Sequence, residues 1–76
     1  MNRSYSDADG IKADLARKLT KFELTRNVMI QCLDMALNLD NDQINQIIKN
    51  LSKNQLKTKY GQALITILEY KQEHHL

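Results

Sequence analysis

The chain contains no proline, no tryptophan, two glycines and one cysteine among its 76 residues. Sheets built from hairpins depend on glycine and proline at their turns, so the scarcity of both argues against a β-rich fold. A lone cysteine, Cys32, excludes an intrachain disulfide and leaves a cysteine-based zinc site without enough ligands. These absences favour a helical domain that is stabilised by packing alone.

Long apolar runs are also missing. None approaches the roughly 18 residues that a membrane-spanning helix needs. The chain begins with MNRSYSDADG, which lacks the apolar core of a signal peptide. With a single thiol as well, we expect a cytoplasmic protein that does not contact a membrane. The formal net charge of +2 is too small to indicate nucleic-acid binding by itself.

Capping-box spacing marks three predicted helix starts. The three pairs are Thr20 with Glu23, Asp40 with Gln43, and Ser52 with Gln55. In such a box the first side chain accepts a hydrogen bond from a backbone N–H group and the second reaches back to the cap. Together with an acidic start at Asp7, these signals predict four helices, over residues 7–19, 21–38, 41–51 and 53–73.

The predicted fold is therefore all-α, a small bundle of three to four helices that form a single domain over residues 7–73. Residues 1–6 are expected to be a flexible N-terminal arm and residues 74–76 a frayed C-terminus. A domain of this size buries only about 60% of the surface of its unfolded chain. Because association adds buried area, we predict a homodimer.

The second predicted helix supports this prediction. Its apolar side chains cover about 240° of the circumference, which leaves only a narrow polar arc. Cys32 lies on one flank of this apolar arc, among Leu24, Val28 and Met35. Four short helices do not offer enough surface to cover such a helix, so the pattern again indicates a partner chain.

Gly61, Ile65 and Leu68 form a candidate dimer or partner interface on the fourth predicted helix. Ile65 lies outside the main apolar stripe of that helix, and Gly61 and Leu68 are next to it on the helical wheel. A glycine inside a helix costs up to about 1 kcal/mol relative to alanine, so its presence here indicates the close approach of a second helix. The alternative is a single exposed isoleucine, which needs no explanation.

Four lysines are clustered around the predicted turn between the third and fourth helices. They are Lys49, Lys53, Lys57 and Lys59, and no acidic residue occurs between Asp42 and Glu69. Such a cluster suits an anionic partner, either an acidic protein surface or DNA. The alternative is an ordinary solvated face.

Short turns join the predicted helices, so a helix-turn-helix is one alternative. The third helix begins with Asp40 and Asp42, which would repel phosphates, and its one basic residue is Lys49. The fourth helix is too apolar beyond its first turns to lie free in a groove of DNA. Nucleic-acid binding is therefore an alternative and not the leading interpretation.

No catalytic, metal or phosphate-binding motif stands out. Cys32 lies in an apolar flank and is expected to be an inert buried thiol. His74 and His75 are adjacent, point about 100° apart on a helix and have no third ligand nearby in the sequence. We expect no enzymatic activity, no cofactor and no metal site.

The layout over residues 22–70 combines an apolar helix, VMIQCLDMALNL, a polar turn, DND, the segment QINQIIKNL, and a last helix near KTKYGQALITILEY. This layout resembles that of the AriR/YmgB-type regulators, the two-component connector proteins of enteric bacteria. The match is one of helix lengths and apolar spacing. It implies a small helical homodimer without enzymatic activity that takes part in biofilm control and acid resistance. Several relatives are acidic, whereas this chain is basic.

The leading functional hypothesis is a cytoplasmic homodimer that acts as a regulatory adaptor by binding another, unidentified signalling protein, in bacterial stress or biofilm signalling. The first alternative is a small DNA-binding transcriptional regulator that uses the lysine cluster. The second alternative is an inhibitor, encoded by a phage or plasmid, that binds a host protein. A purely structural role inside a larger assembly also stays open.

Overall fold

The computed structural model describes the backbone of residues 3–74 and the side chains of residues 10–74. The elements are α1 (Arg3–Leu19), a single 3-10 turn (Thr20–Phe22), α2 (Arg26–Asn38), α3 (Asn41–Asn50), α4 (Lys53–Leu56) and α5 (Lys59–Glu73). Helices and short connections account for all of residues 3–74, with no strand among them. The predicted all-α class, a small helical bundle, is confirmed.

Helix α5 is the centre of the bundle. It packs against α1, α2, α3 and α4, whereas α1 and α2 also pack against each other. The buried apolar core draws on all the longer helices: Leu15, Leu19, Cys32, Leu33, Ala36, Ile44, Ala63, Ile67 and Tyr70. Fully burying one large aliphatic side chain contributes about 1.5–3 kcal/mol, so this core is the main source of stability.

The predicted capping boxes at Asp40 and Ser52 are confirmed. The Asp40 carboxylate accepts a hydrogen bond from the Gln43 N–H at 2.8 Å, and the Gln43 side chain accepts one from the Asp40 N–H at 3.0 Å. Ser52 and Gln55 make the equivalent pair of bonds at 3.1 and 2.8 Å. Both boxes set the first residue of the helix that follows, α3 and α4.

The predicted capping box at Thr20 is wrong. The Thr20 hydroxyl donates to the Ala16 carbonyl oxygen at 2.7 Å, so this residue extends the end of α1. Glu23 adopts a left-handed conformation with φ of 54°, which ends the 3-10 turn and reverses the chain. Helix α2 begins later than predicted, after Thr25, whose hydroxyl accepts a hydrogen bond from the Val28 N–H at 3.3 Å.

The predicted fourth helix is in fact two helices. Helix α4 is one turn long, and α5 starts again after Thr58, whose hydroxyl accepts from the Gly61 N–H at 3.2 Å. The Gln62 side chain donates to the Leu56 carbonyl oxygen at 2.9 Å across the corner. These polar contacts satisfy backbone groups that the interruption of the helix would otherwise leave unpaired.

The other boundaries differ less. Helix α1 begins at Arg3, so most of the segment predicted as a flexible arm is helical. Helix α3 ends at Asn50, one residue early, and α5 ends at Glu73 as predicted. His74 is the C-terminal cap of α5. The last two residues of the predicted frayed end lie outside the described residues.

Gly61 is expected to tolerate no side chain, because a Cβ there would lie 2.5 Å from the Gln55 carbonyl oxygen and 2.8 Å from Leu56 Cα. These are backbone atoms, so Gly61→Ala must move the α4–α5 corner and should lower the free energy of unfolding by about 1–3 kcal/mol. The matched control is Gly10→Ala in α1, where nothing lies within 4 Å. That change should stabilise the helix by about 0.5–1 kcal/mol. Urea denaturation of both variants checks this, and equal effects would contradict it.

The two threonines that precede α2 provide a second test. Thr25→Ala removes the cap of α2 and should destabilise the protein by about 0.5–2 kcal/mol. Thr20→Ala removes only an exposed hydroxyl bonded within α1, so its effect should be smaller. Thermal unfolding, monitored by circular dichroism, compares the stabilities of the two variants. A larger loss for Thr20→Ala would place the start of α2 where the sequence predicted it.

Candidate functional site

Helix α2 has one exposed apolar edge. Among the described residues, the exposed large hydrophobic side chains are Ile30, which is 47% exposed, and Leu37, which is 39% exposed. Residues seven apart on a helix lie about 20° apart, so both side chains are on one line. Leu33, which is buried, lies beside that line. We call Ile30 and Leu37 the α2 edge.

The rest of the broad apolar arc of α2 is covered by the chain itself. Cys32, Leu33 and Ala36 are buried. Val28 and Met29 are half-buried and pack against the core. The bundle therefore covers more of this helix than its sequence led us to expect, and only the α2 edge stays open.

Gly61, Ile65 and Leu68 do not form one open surface. Gly61 is buried, and the close approach that its presence predicted occurs within the chain, against the backbone of Gln55 and Leu56. Leu68 is half-buried and packs against the core. Ile65 is half-buried on α5. Of the predicted interface, only Ile65 and Leu68 retain partly accessible apolar surface.

The four lysines of the predicted anionic-partner patch are all exposed. Lys49 is in the last turn of α3, Lys53 is in α4, Lys57 follows α4 and Lys59 opens α5. All four lie between the last turn of α3 and the first turn of α5, and a shared patch for an anionic partner stays a prediction. We call Lys49, Lys53, Lys57 and Lys59 the basic end.

The geometry does not favour a helix-turn-helix. Helix α4, at four residues, is too short to lie along a major groove. The exposed face of α5 begins at Lys59 but continues to Glu69 and Glu73, which would repel phosphates. That leaves α3, whose N-terminal turn contains Asp42 after the Asp40 cap. Any contact of the basic end with nucleic acid would have to be made without a recognition helix.

A groove lies between the starts of α2 and α5, and the sequence did not indicate it. Its volume is about 380 Å³, and it is lined by Glu23, Leu24, Thr25, Val28, Thr58, Lys59 and Tyr60. Its apolar members are half-buried, and its polar members are exposed. The Tyr60 hydroxyl donates to the Met35 sulfur at 3.8 Å, which links the groove to the last turn of α2. We call it the α2/α5 groove.

A second groove, of about 320 Å³, lies between the end of α1 and the end of α5. Its lining mixes basic and acidic side chains: Arg17, Lys18, Lys21, Thr66, Glu69, Tyr70 and Glu73. The Lys18 amino group lies 5.9 Å from the centre of the Tyr70 ring. The Tyr70 hydroxyl donates to the Asp14 carboxylate at 3.2 Å. Burial, together with the Asp14 contact, raises the pKa of Tyr70 and keeps its phenol protonated.

The residues considered for chemistry are not brought together. Cys32 is fully buried, and burial raises the pKa of its thiol, which disfavours the reactive thiolate. The His74 ring lies 4.2 Å from the Tyr70 ring, and His75 lies outside the described residues. In the part of the chain that the structure describes, no group of three His, Cys, Asp or Glu side chains is placed to hold a metal ion.

Lys71 is a buried charge that sequence reasoning missed. Its amino group donates to the carbonyl oxygen of Leu39, the C-terminal cap of α2, and so ties α5 to the α2–α3 corner. A cation at a helix C-terminus is favourable. Burial nevertheless lowers the pKa of Lys71, while the Asp40 carboxylate acts in the opposite direction. This contact has a structural role. The sequence does not predict it, because lysines in the last turn of a helix are common.

Comparison with known proteins adds no relative. No protein-family model, no curated protein and no solved structure matches this chain. The resemblance to the AriR/YmgB-type regulators therefore stays a prediction from helix lengths and apolar spacing. None of the described helices is both long and apolar enough to cross a membrane.

Lys71→Met keeps the aliphatic stem and removes the donor to the Leu39 carbonyl oxygen. It should lower the free energy of unfolding by about 1–2 kcal/mol at neutral pH. Lys59→Met, which changes an exposed lysine, is the control and should have little effect. Chemical denaturation of the two variants provides the measurement.

The stability difference between Lys71→Met and the wild type should also depend on pH. The folded-state pKa of Lys71 lies below its ordinary value of 10.5. At a pH between the folded-state pKa and 10.5, the unfolded state binds more protons than the folded state. The contribution of Lys71 to the free energy of unfolding therefore rises with pH. The deficit of Lys71→Met relative to the wild type should therefore widen from neutral pH toward pH 10.5. A deficit that shrinks over this interval would show that the pKa is raised.

Proposed function

We propose that this chain is a non-enzymatic regulatory adaptor that works as a homodimer and pairs through the α2 edge. The observation that carries the proposal is the exposure of Ile30 and Leu37, at 47% and 39%, on one line of one helix. Single exposed apolar residues are common on monomers. Here two large ones are aligned on one helix and form a short apolar strip that a second copy would cover in the proposed dimer.

The energetics favour pairing at this edge. A two-fold axis through the middle of α2 would bring Ile30 of one copy beside Leu37 of the other. Each of these side chains is already more than half buried in the single chain, so pairing adds only the remaining fraction of the about 1.5–3 kcal/mol that complete burial contributes. The two-fold symmetry doubles the number of side chains that gain burial. A domain of 76 residues has a small core of its own, so the added burial would supplement that core.

The adaptor role rests on the separation of accessible surfaces. The α2 edge is apolar, whereas the basic end is a group of exposed lysines around α4. One surface can therefore hold a second copy while the other meets an anionic target. A role in bacterial stress or biofilm signalling follows only from the resemblance to AriR/YmgB-type regulators. An inhibitor of a host protein would present the same surfaces.

Direct DNA binding is the second candidate, and the exposure of Lys49, Lys53, Lys57 and Lys59 is the observation that favours it. Affinity for duplex DNA would then fall steeply as salt increases, because lysine contacts to phosphates release counterions. The adaptor is preferred because α4 is too short to lie along a groove of DNA and the first turn of α3 contains Asp42.

Molar mass in solution tests the proposal, measured by size-exclusion chromatography with light scattering. The wild type should be a dimer at low and at physiological salt. Ile30→Lys with Leu37→Lys should give a monomer, because both charges would have to be buried at the interface. Circular dichroism should show unchanged helicity, since both side chains are exposed in the single chain.

The comparison variant is Ile65→Lys, on the part of the predicted α5 interface that stays accessible. It should remain a dimer. A monomer from Ile65→Lys together with a dimer from the α2 double variant would move the interface to α5. A wild type that is monomeric at every concentration would refute the homodimer.

A further inference from the structure

We propose that Asp34 lies beside the two-fold axis of the dimer, faces its own copy there and limits the strength of pairing by like-charge repulsion. This inference rests on the proposed homodimer and deepens it by naming the residue that regulates the interface. It starts from the position of Asp34, an exposed acidic residue between Ile30 and Leu37 on α2. The surface that pairs is therefore apolar toward its ends and charged at its centre.

Helix geometry places Asp34 at the centre of the α2 edge. Around the helix axis, Asp34 is about 40° from Ile30 and about 60° from Leu37. Along the axis, the midpoint between Ile30 and Leu37 falls between residues 33 and 34, so Asp34 is within about 1 Å of it. Leu33 is equally close to this midpoint but is buried. Asp34 is therefore the exposed residue nearest the centre of the edge.

Two-fold symmetry then brings the two copies of Asp34 together. The axis that pairs Ile30 of one copy with Leu37 of the other passes beside the same midpoint of α2. In a two-fold interface, a residue close to the axis lies close to its own copy, whereas a residue far from the axis meets a different one. Packed helix axes are about 8–10 Å apart, so the two Asp34 carboxylates would face each other across the axis.

No basic side chain of α2 is placed to neutralise these two carboxylates. The charged residues of α2 are Arg26 and Asp34. Arg26 is about 12 Å from Asp34 along the helix, and the symmetry places Arg26 of the second copy about 10 Å away in the other direction. The one ion pair among the described residues joins Arg17 to Asp14, so Asp34 has none within its own chain. The two negative charges therefore repel each other without compensation from α2.

The consequence is a dimer with opposing contributions at one interface. Ile30 and Leu37 gain burial when two copies meet, whereas Asp34 loses part of its hydration and meets a like charge. Repulsion between charges is stronger near a protein surface than in bulk water. The two effects keep monomer and dimer close to balance, so a target that binds only one form shifts the equilibrium toward it. Asp34 thereby makes the pairing reversible.

Neutralisation of Asp34 in the full chain is the first test. Asp34→Asn keeps the size of the side chain and removes its charge, so the dissociation constant of the dimer should fall by about tenfold. The matched control, Glu69→Gln, removes one exposed negative charge from α5 and should leave the constant nearly unchanged. Sedimentation equilibrium measures the constant for each chain. Circular dichroism should show equal helicity, because both acidic side chains are exposed.

A mixed dimer tests whether Asp34 meets its own copy. Two chains that both carry Asp34→Lys again have like charges at the centre of the interface, whereas one such chain and one wild-type chain have opposite charges there. The wild type is isotope-labelled, mixed with Asp34→Lys and analysed by native mass spectrometry. The mixed dimer should exceed the share that random pairing gives. Glu69→Lys, mixed with the wild type in the same way, should pair at random.

Two results would overturn the inference and leave the homodimer unaffected: an unchanged dissociation constant for Asp34→Asn, or random pairing of the wild type with Asp34→Lys. A monomeric wild type together with a dimeric Asp34→Asn would refute the wild-type homodimer and support repulsion at Asp34. Monomers from both the wild type and Asp34→Asn at every concentration would refute the homodimer and the inference together.

Discussion

The close approach of α4 and α5 at Gly61 is the constraint on which the rest of the bundle depends. Because Gly61 has no side chain, the backbone of Gln55 and Leu56 can lie against the first turn of α5. That corner directs α5 through the middle of the bundle, where it packs against α1, α2, α3 and α4. It also places the start of α5 beside the start of α2, which creates the α2/α5 groove.

Helix α2 links the packing to the proposed function. Cys32 and Ala36 face the core, Ile30 and Leu37 face solvent, and Val28 lines the groove on the opposite side. Its two main packing neighbours, α1 and α5, cover most of this apolar helix but not all of it, and the uncovered strip is the edge that we assign to a second copy. The groove and the edge therefore result from the same packing arrangement.

The buried charge of Lys71 stabilises the bundle through a hydrogen bond and also carries a desolvation cost. Its amino group joins α5 to the end of α2, and desolvation of that charge lowers its pKa. The aliphatic stem fills space near the core while the amino group pairs with a carbonyl oxygen that the end of α2 would otherwise leave exposed. In a domain with few buried side chains, this one contact helps to hold α5 against the α2–α3 corner.

The sequence alone determined the features that arise within a few residues: the all-α class, the capping boxes at Asp40 and Ser52, and the exposure of the lysines around α4. It placed the start of α2 wrongly, because Thr20 and Thr25 both have capping chemistry and only packing of the intervening turn selects Thr25. It also missed the break before α5, the groove and Lys71. These depend on which helices meet, and tertiary packing decides that, because the spacing of apolar residues defines a face but not its neighbour.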